Sequence, residues 1–125
     1  MSDPSGPALF PVFLKLEGRR VLVVGGGRGA EAKLPGLLAG GALVTVVAPE
    51  IRGGIASAPV VTLRRPFQPE DANGAWLVVA AAPARVNREV QAAAEARGVF
   101  VNAVDDPAHG SVYTGGVVRR GGVTI

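Results

Sequence analysis

The chain has 125 residues, enough for one domain with its own core and too few for two ordinary ones. With 48% hydrophobic residues, a net charge of +3 and no cysteine, it is not a disordered chain, and it has no disulfides, thiolate metal ligands or cysteine nucleophile. No apolar run approaches the roughly 20 residues of a membrane-spanning helix, and no basic cluster is interleaved with aromatics, so neither membrane nor nucleic acid is expected as a partner.

The opening "MSDPSGPALFP" lacks a basic stretch followed by an apolar core, so it does not read as a secretory signal. It reads as a flexible lead-in over residues 1–11, followed by a single domain over 12–125, and a cytoplasmic location is expected. Arg20 to Val24 then reads as the first strand, in which residues 21–24 form a continuous apolar run with β-branched bias suited to burial on both faces. It stops at Gly25, Gly26 and Gly27. Gly25-x-Gly27-x-x-Ala30 fits the dinucleotide fingerprint G-x-G-x-x-G/A: Gly25 makes the turn, Gly27 lets backbone approach a pyrophosphate, and Ala30 lets the helix pack on the strand. The helix start at Arg28 and Gly29 supplies N–H groups for the anion. Gly-rich turns also follow strands where no ligand binds, so context has to decide.

A helix is predicted from Arg28 to Ala39 and is closed by Gly40 and Gly41; Pro35 and Gly36 inside it predict a kink or a shortening. Leu43 to Ala48 is the second strand, ended by Pro49. "EIRGGIASAP" reads as a loop or a weak helical turn. Val60 to Leu63 is a third strand, and a short helix is expected near Pro69 to Asn73. Trp76 to Ala81 is a fourth strand, with Trp76 a packing residue. Ala84 to Arg97 is a helix with Val86, Val90, Ala93 and Ala94 at helical spacing and Gly98 as its stop. Val99 to Val104 is a fifth strand. Tyr113 to Val118 is extended, and "GGVTI" opens another strand that leaves the sheet with an open edge.

Strands alternating with helices predict an α/β domain of Rossmann-like type, a mainly parallel sheet with helices on both faces. Ligands of such sheets lie beyond the carboxyl ends of the strands at the switch point. Gly25–Gly27, Ala82–Arg85 and Asp105–Ser111 fall there, with Ala81 at the end of its strand. About 20 residues past the fingerprint an acidic residue binds ribose in NAD sites, and Glu50 sits near that distance. Arg52 offers the other reading, a 2′-phosphate contact or a solvated loop residue.

"FPVFLKLEGRRVLVVGGG" resembles the start of the precorrin-2 dehydrogenases, the N-terminal module of siroheme synthases. Pro11, Phe13, Leu16, Arg20, Gly25–Gly27, Ala30 and Lys33 match that pattern. "GALVTVVAPE", "ANGAWLVVAA", "VNREVQAAAEARGVFVNAVDDP" and "VVRRGG" continue it, so the likeness runs through nearly the whole chain. The resemblance implies NAD as cofactor, oxidation of precorrin-2 to sirohydrochlorin, and in some members insertion of ferrous iron. It also implies a homodimer and further dimerisation and helical domains outside these 125 residues. By the N-x-V-D motif it implies that Asp105 is the acid/base group, while Asp106 reads as a turn residue before Pro107. The family's Thr-Asp-Asp after the fourth strand is replaced in "AAAPARVN", which keeps a second reading open: a non-catalytic nucleotide- or tetrapyrrole-binding module.

Three further residues are read as substrate contacts. Asn102 shares the motif with Asp105. His109, the only histidine, could touch substrate from its loop and, with no second histidine or cysteine beside it, does not predict a transition-metal site. Arg120, next to Arg119, could pair a substrate carboxylate; alternation along a strand points one of the two to any given face.

Overall fold

The structure, a computed structural model, describes residues 7–104 and 110–113, together with the backbone of 119–120 and 123–124. Strands Arg20–Val24 (β1), Leu43–Val47 (β2), Val61–Leu63 (β3), Leu77–Ala80 (β4) and Phe100–Ala103 (β5) form a five-stranded sheet in the order β3-β2-β1-β4-β5. All four pairings are parallel, with Val24 opposite both Val47 and Ala80. Chain order reverses between β1 and β4, so the switch point lies at the end of β1.

The apolar strand runs are explained by two-sided burial. Val21 and Val23 pack with Val44, Val46 and Val79 on one face, under helix Arg28–Ala39 (α1). Leu22 and Val24 pack with Val78, Ala80 and Val101 on the other, under helix Ala84–Ala96 (α3). Residues 21–24 are at most 2% exposed, and each such aliphatic side chain stabilises the fold by about 1.5–3 kcal/mol. No helix of the described residues is long and apolar enough to cross a membrane.

Helix α1 runs unbroken through Pro35, contrary to the expected shortening. Ala30, Leu34 and Leu37 form its buried stripe, and Pro35 and Gly36 fall on the exposed side. The Glu31 carbonyl, which the proline cannot bond, therefore lies where water reaches it. The predicted stop holds: Gly41 takes φ +78°, and the Ala42 N–H donates to the Leu37 carbonyl at 3.1 Å. "EIRGGIASAP" contains a single helical turn, Gly53–Ala56 (α2), and Pro69–Ala72 is a 3₁₀ turn.

That 3₁₀ turn gathers arginines. Arg65 binds the Asp71 carboxylate through both terminal nitrogens, at 2.9 and 2.6 Å, and Asp71 also accepts from the Gln68 N–H at 2.8 Å. The Arg65 hydrogen bond holds the Asp71 carboxyl below the usual carboxylate range. Arg20 donates to the carbonyls of Asp71 and Asn73, and Arg97 to the Asn73 side chain and the Ala93 carbonyl. Trp76 is 45% exposed rather than packed inside, with the Arg19 guanidinium 4.0 Å from its ring centroid.

The last strands depart from expectation. Val123–Thr124 (β7) pairs antiparallel with Arg119–Arg120 (β6) in a separate two-stranded sheet, so these two residues do not extend the main sheet, and the extended segment expected over Tyr113–Val118 lies, beyond Tyr113, outside the described residues. Edge strand β5 is instead bordered by residues 110–112: the Ser111 and Val112 N–H groups donate to the Val101 carbonyl, and Ser111 Oγ accepts from the Val101 N–H.

Candidate functional site

A cleft of about 780 Å³ opens at the carboxyl ends of β1, β2 and β4. Its size is within the range of small-molecule and cofactor sites. Val24 and Val47 line it beside the glycine turn, Pro49 and Glu50 after β2, and Ala81, Ala82 and Pro83 after β4. Pro66, Phe67 and Val86 add apolar surface, and Arg85 and Glu89 add charge.

The three glycines do three different things. Gly25 has φ +127°, and a Cβ there would stand 2.3 Å from the Ala81 carbonyl oxygen. At Gly26 a Cβ would stand 1.9 Å from the Glu50 carbonyl oxygen. These two glycines let the turn press against the chain leaving β4 and β2. The Gly25 N–H donates to Val47, and Gly26 accepts from the Arg52 N–H, both at 2.9 Å. Gly27 differs. Its φ of −96° suits any residue, and a Cβ there would meet no protein atom within 4 Å. The protein's own packing does not require glycine at that position. Gly27 lines the cleft, and the missing side chain there leaves its backbone open to close approach.

The first helical hydrogen bond of α1 is Glu31 N–H to Gly27 carbonyl, 3.0 Å. The N–H groups of Arg28, Gly29 and Ala30 precede it and have no intrahelical acceptor. A dipole end with free donors, beside a side-chain-free turn, suits an anion such as a pyrophosphate. Ala30 itself is fully buried against the sheet, in the close-packing role expected of it. Gly29 faces the ends of β4 and β5: a Cβ there would be 3.4 Å from Val104 and 3.8 Å from Ala81.

Of the residues singled out in the sequence, Gly25, Gly26, Gly27, Glu50, Ala81 and Ala82 meet in the cleft. Arg52 is turned away, its Nε 3.2 Å from Glu31 Oε1. Asn102 is buried in β5, opposite Val79 on the α1 side, and donates from Nδ2 to the Val112 carbonyl at 3.1 Å. It does not line the cleft, and its Oδ1 has no partner among the described residues. Asp105 and His109 lie outside the described residues, as does the side chain of Arg120. The last described residue before Asp105 is Val104, whose N–H donates to the Ala80 carbonyl at 2.8 Å, at the carboxyl end of β4.

Arg85, in the stretch expected at the switch point, does line the cleft, while sequence reasoning missed the Phe67 wall, Glu89 and the support for the β4–α3 connection. Asn87 is 1% exposed, and its Oδ1 accepts from the Ala82 N–H at 3.1 Å. An asparagine in the first turn of a helix that follows a buried strand is the signal that could have flagged it.

Comparison with known proteins agrees with this geometry. A family model described as "Putative NAD(P)-binding" matches residues 12–116. The siroheme synthase of Photorhabdus laumondii is 38% identical over 120 residues, covering 92% of this chain and 26% of that protein. The siroheme synthase of Chromobacterium violaceum is 47% identical over 102 residues, covering 78% and 22%. The chain thus spans about a quarter of the length of these relatives. Among solved structures, SirC, a precorrin-2 dehydrogenase, superposes with a TM-score of 0.75 at 30% identity, over 94% of this chain and 59% of that one. With its parallel sheet, its switch-point cleft and these relatives together, the chain belongs to the family of NAD-binding domains shared by siroheme synthases and precorrin-2 dehydrogenases.

Proposed function

We propose that this chain binds NAD in the cleft and serves the dehydrogenation of precorrin-2 to sirohydrochlorin. The observation that carries the cofactor reading is Gly27: a glycine that nothing in the protein's packing requires, open to the cleft beside free helix-start N–H groups. In this reading the N–H groups of residues 28–30 hold the pyrophosphate, Glu50 accepts from a ribose hydroxyl, and Pro66 and Phe67 offer an apolar face to a base. When bound, NAD supplies the hydride acceptor.

The substrate reading rests on the relatives and on the N-x-V-D motif. Loss of hydride from a ring carbon leaves a cationic centre that must shed a proton, so a carboxylate at the carboxyl edge has a general-base role. Asp105, one residue beyond Val104, is assigned that role. His109 and Arg120 are assigned to the substrate side, and Arg85 brings a cation to the cleft to meet a polycarboxylate. Asn102 acts from inside, tying β5 to the segment at Val112. Insertion of ferrous iron as a second substrate, and a homodimer, belong to the same reading.

The test is absorbance of sirohydrochlorin formed from precorrin-2 and NAD. Asp105→Ala should lower turnover by about 10²–10⁴-fold with NAD affinity nearly unchanged, and Asp106→Ala should do much less. Equal losses at both positions, or none at Asp105, would remove the assignment. NAD binding without any dehydrogenation, even with the relatives' remaining domains supplied, would favour the second reading, a binding module. The replaced Thr-Asp-Asp supports that alternative.

A further inference from the structure

We propose that Glu31 determines which dinucleotide the cleft accepts, by holding Arg52 away from its ribose end. The inference rests on the NAD reading above and concerns the 2′-position of the adenosine ribose. Two side chains follow β2. Glu50 lines the cleft, and its carboxylate both accepts from a free 2′-hydroxyl and repels a 2′-phosphate. Arg52 is two residues further on, and its backbone is fastened to the glycine turn through the 2.9 Å bond to the Gly26 carbonyl. An arginine so close to the turn is the residue type that receives a 2′-phosphate.

Its guanidinium is engaged elsewhere. Nε donates to Glu31 Oε1 at 3.2 Å, and Arg52 does not line the cleft. The place for the Glu31 carboxylate is built into α2. A Cβ at Gly54 would stand 1.9 Å from Glu31 Oε2, so the missing side chain at Gly54 makes room for the carboxylate over the helical turn. The pair is partly open to solvent, with side-chain exposures of 46% for Arg52 and 35% for Glu31. An exposed pair of this kind adds little to stability. Its consequence is orientation: with Arg52 neutralised by Glu31, Glu50 presents the unbalanced charge at the ribose end, and that charge is negative.

Isothermal titration of the 125-residue chain with NAD and with NADP tests this. The parent should prefer NAD. Glu31→Ala should tighten NADP by up to about fivefold, the most that release from an exposed pair worth at most about 1 kcal/mol can return, with NAD affinity nearly unchanged. Glu31→Gln keeps the shape and removes the charge, so it should shift in the same direction and serves if the alanine variant folds poorly. The tightening must vanish in the Glu31→Ala/Arg52→Ala double variant, because Arg52 is the group released. A parent that binds both dinucleotides equally, an unchanged NADP affinity in both Glu31 variants, or a tightening that survives loss of Arg52 overturns the inference while leaving the NAD reading standing. A parent that binds neither overturns the NAD reading and this inference with it.

Discussion

Replacing Gly26 and Gly27 one at a time separates the part of the glycine turn that the protein needs from the part a ligand needs. At Gly26 an alanine Cβ would stand 1.9 Å from the Glu50 carbonyl oxygen, 2.9 Å from its carbonyl carbon and 2.9 Å from Ile51 Cα. All three are backbone atoms, so relief requires the turn to leave the β2 connection and stretch the Arg52–Gly26 hydrogen bond. Overpacking of this kind costs about 1–3 kcal/mol, and contact with unyielding backbone belongs at the upper end. For a chain of this size about 3 kcal/mol lowers Tm by roughly 10 °C. At Gly27 the balance is different. The new methyl group meets no protein atom within 4 Å, and φ −96° is open to alanine. Lost chain entropy in the unfolded state stabilises by about 0.4–1 kcal/mol. Alanine's poorer fit at a helix N-cap offsets this by a similar amount. Gly27→Ala and Gly27→Val should therefore leave Tm within a few degrees of the parent. Yet the added carbons enter the cleft where a pyrophosphate would lie, and NAD binding should be lost in the valine variant. Thermal unfolding by circular dichroism reads the first effect and isothermal titration the second. A Gly27→Val chain that binds NAD as the parent does would refute the ligand role of the open position. A Gly26→Ala chain as stable as the parent would refute the packing account of its neighbour.

Two other predictions concern the supports of the cleft. Asn87→Leu removes the acceptor of the part-buried Ala82 N–H and should destabilise by about 1 kcal/mol, seen as a lower urea midpoint at unchanged m, while Asn87→Asp should recover part of the loss because it keeps an acceptor. Asp71 is acid-sensitive: folding lowers its pKa, so its contribution is present above the unfolded value and is lost as pH falls through the folded one. The difference in Tm between the parent and Asp71→Asn should accordingly be largest near neutrality and shrink below about pH 4, and a difference independent of pH would show that the Arg65 pairing does not act through the charge.

Much of this protein was legible in the sequence because its signals are local. The Arg20–Val24 run, the glycines that end it and the buried stripe of α3 report burial and backbone freedom residue by residue, and the alternation of such segments is enough for a parallel α/β sheet. The same holds for Gly25 and Ala30, whose roles depend on the turn and helix they belong to. What the sequence left undecided depends on neighbours far along the chain. The difference between Gly26 and Gly27 appears only when Glu50 is brought against one and left clear of the other. Pro35 did not shorten its helix, because the fold turned it to the exposed side, away from Leu34 and Leu37. Arg20, Arg65 and Arg97 converge on the 3₁₀ turn and its neighbours from positions far apart along the chain, so nothing local marks them as its supports. Arg52, separated from Glu31 by 21 positions, is paired only because β2 returns beside β1 and brings α2 against the start of α1. Residue type and spacing determine what a side chain is able to do; the tertiary structure determines which partner reaches it first, because charge and hydrogen bonding act through distance in space and not along the chain.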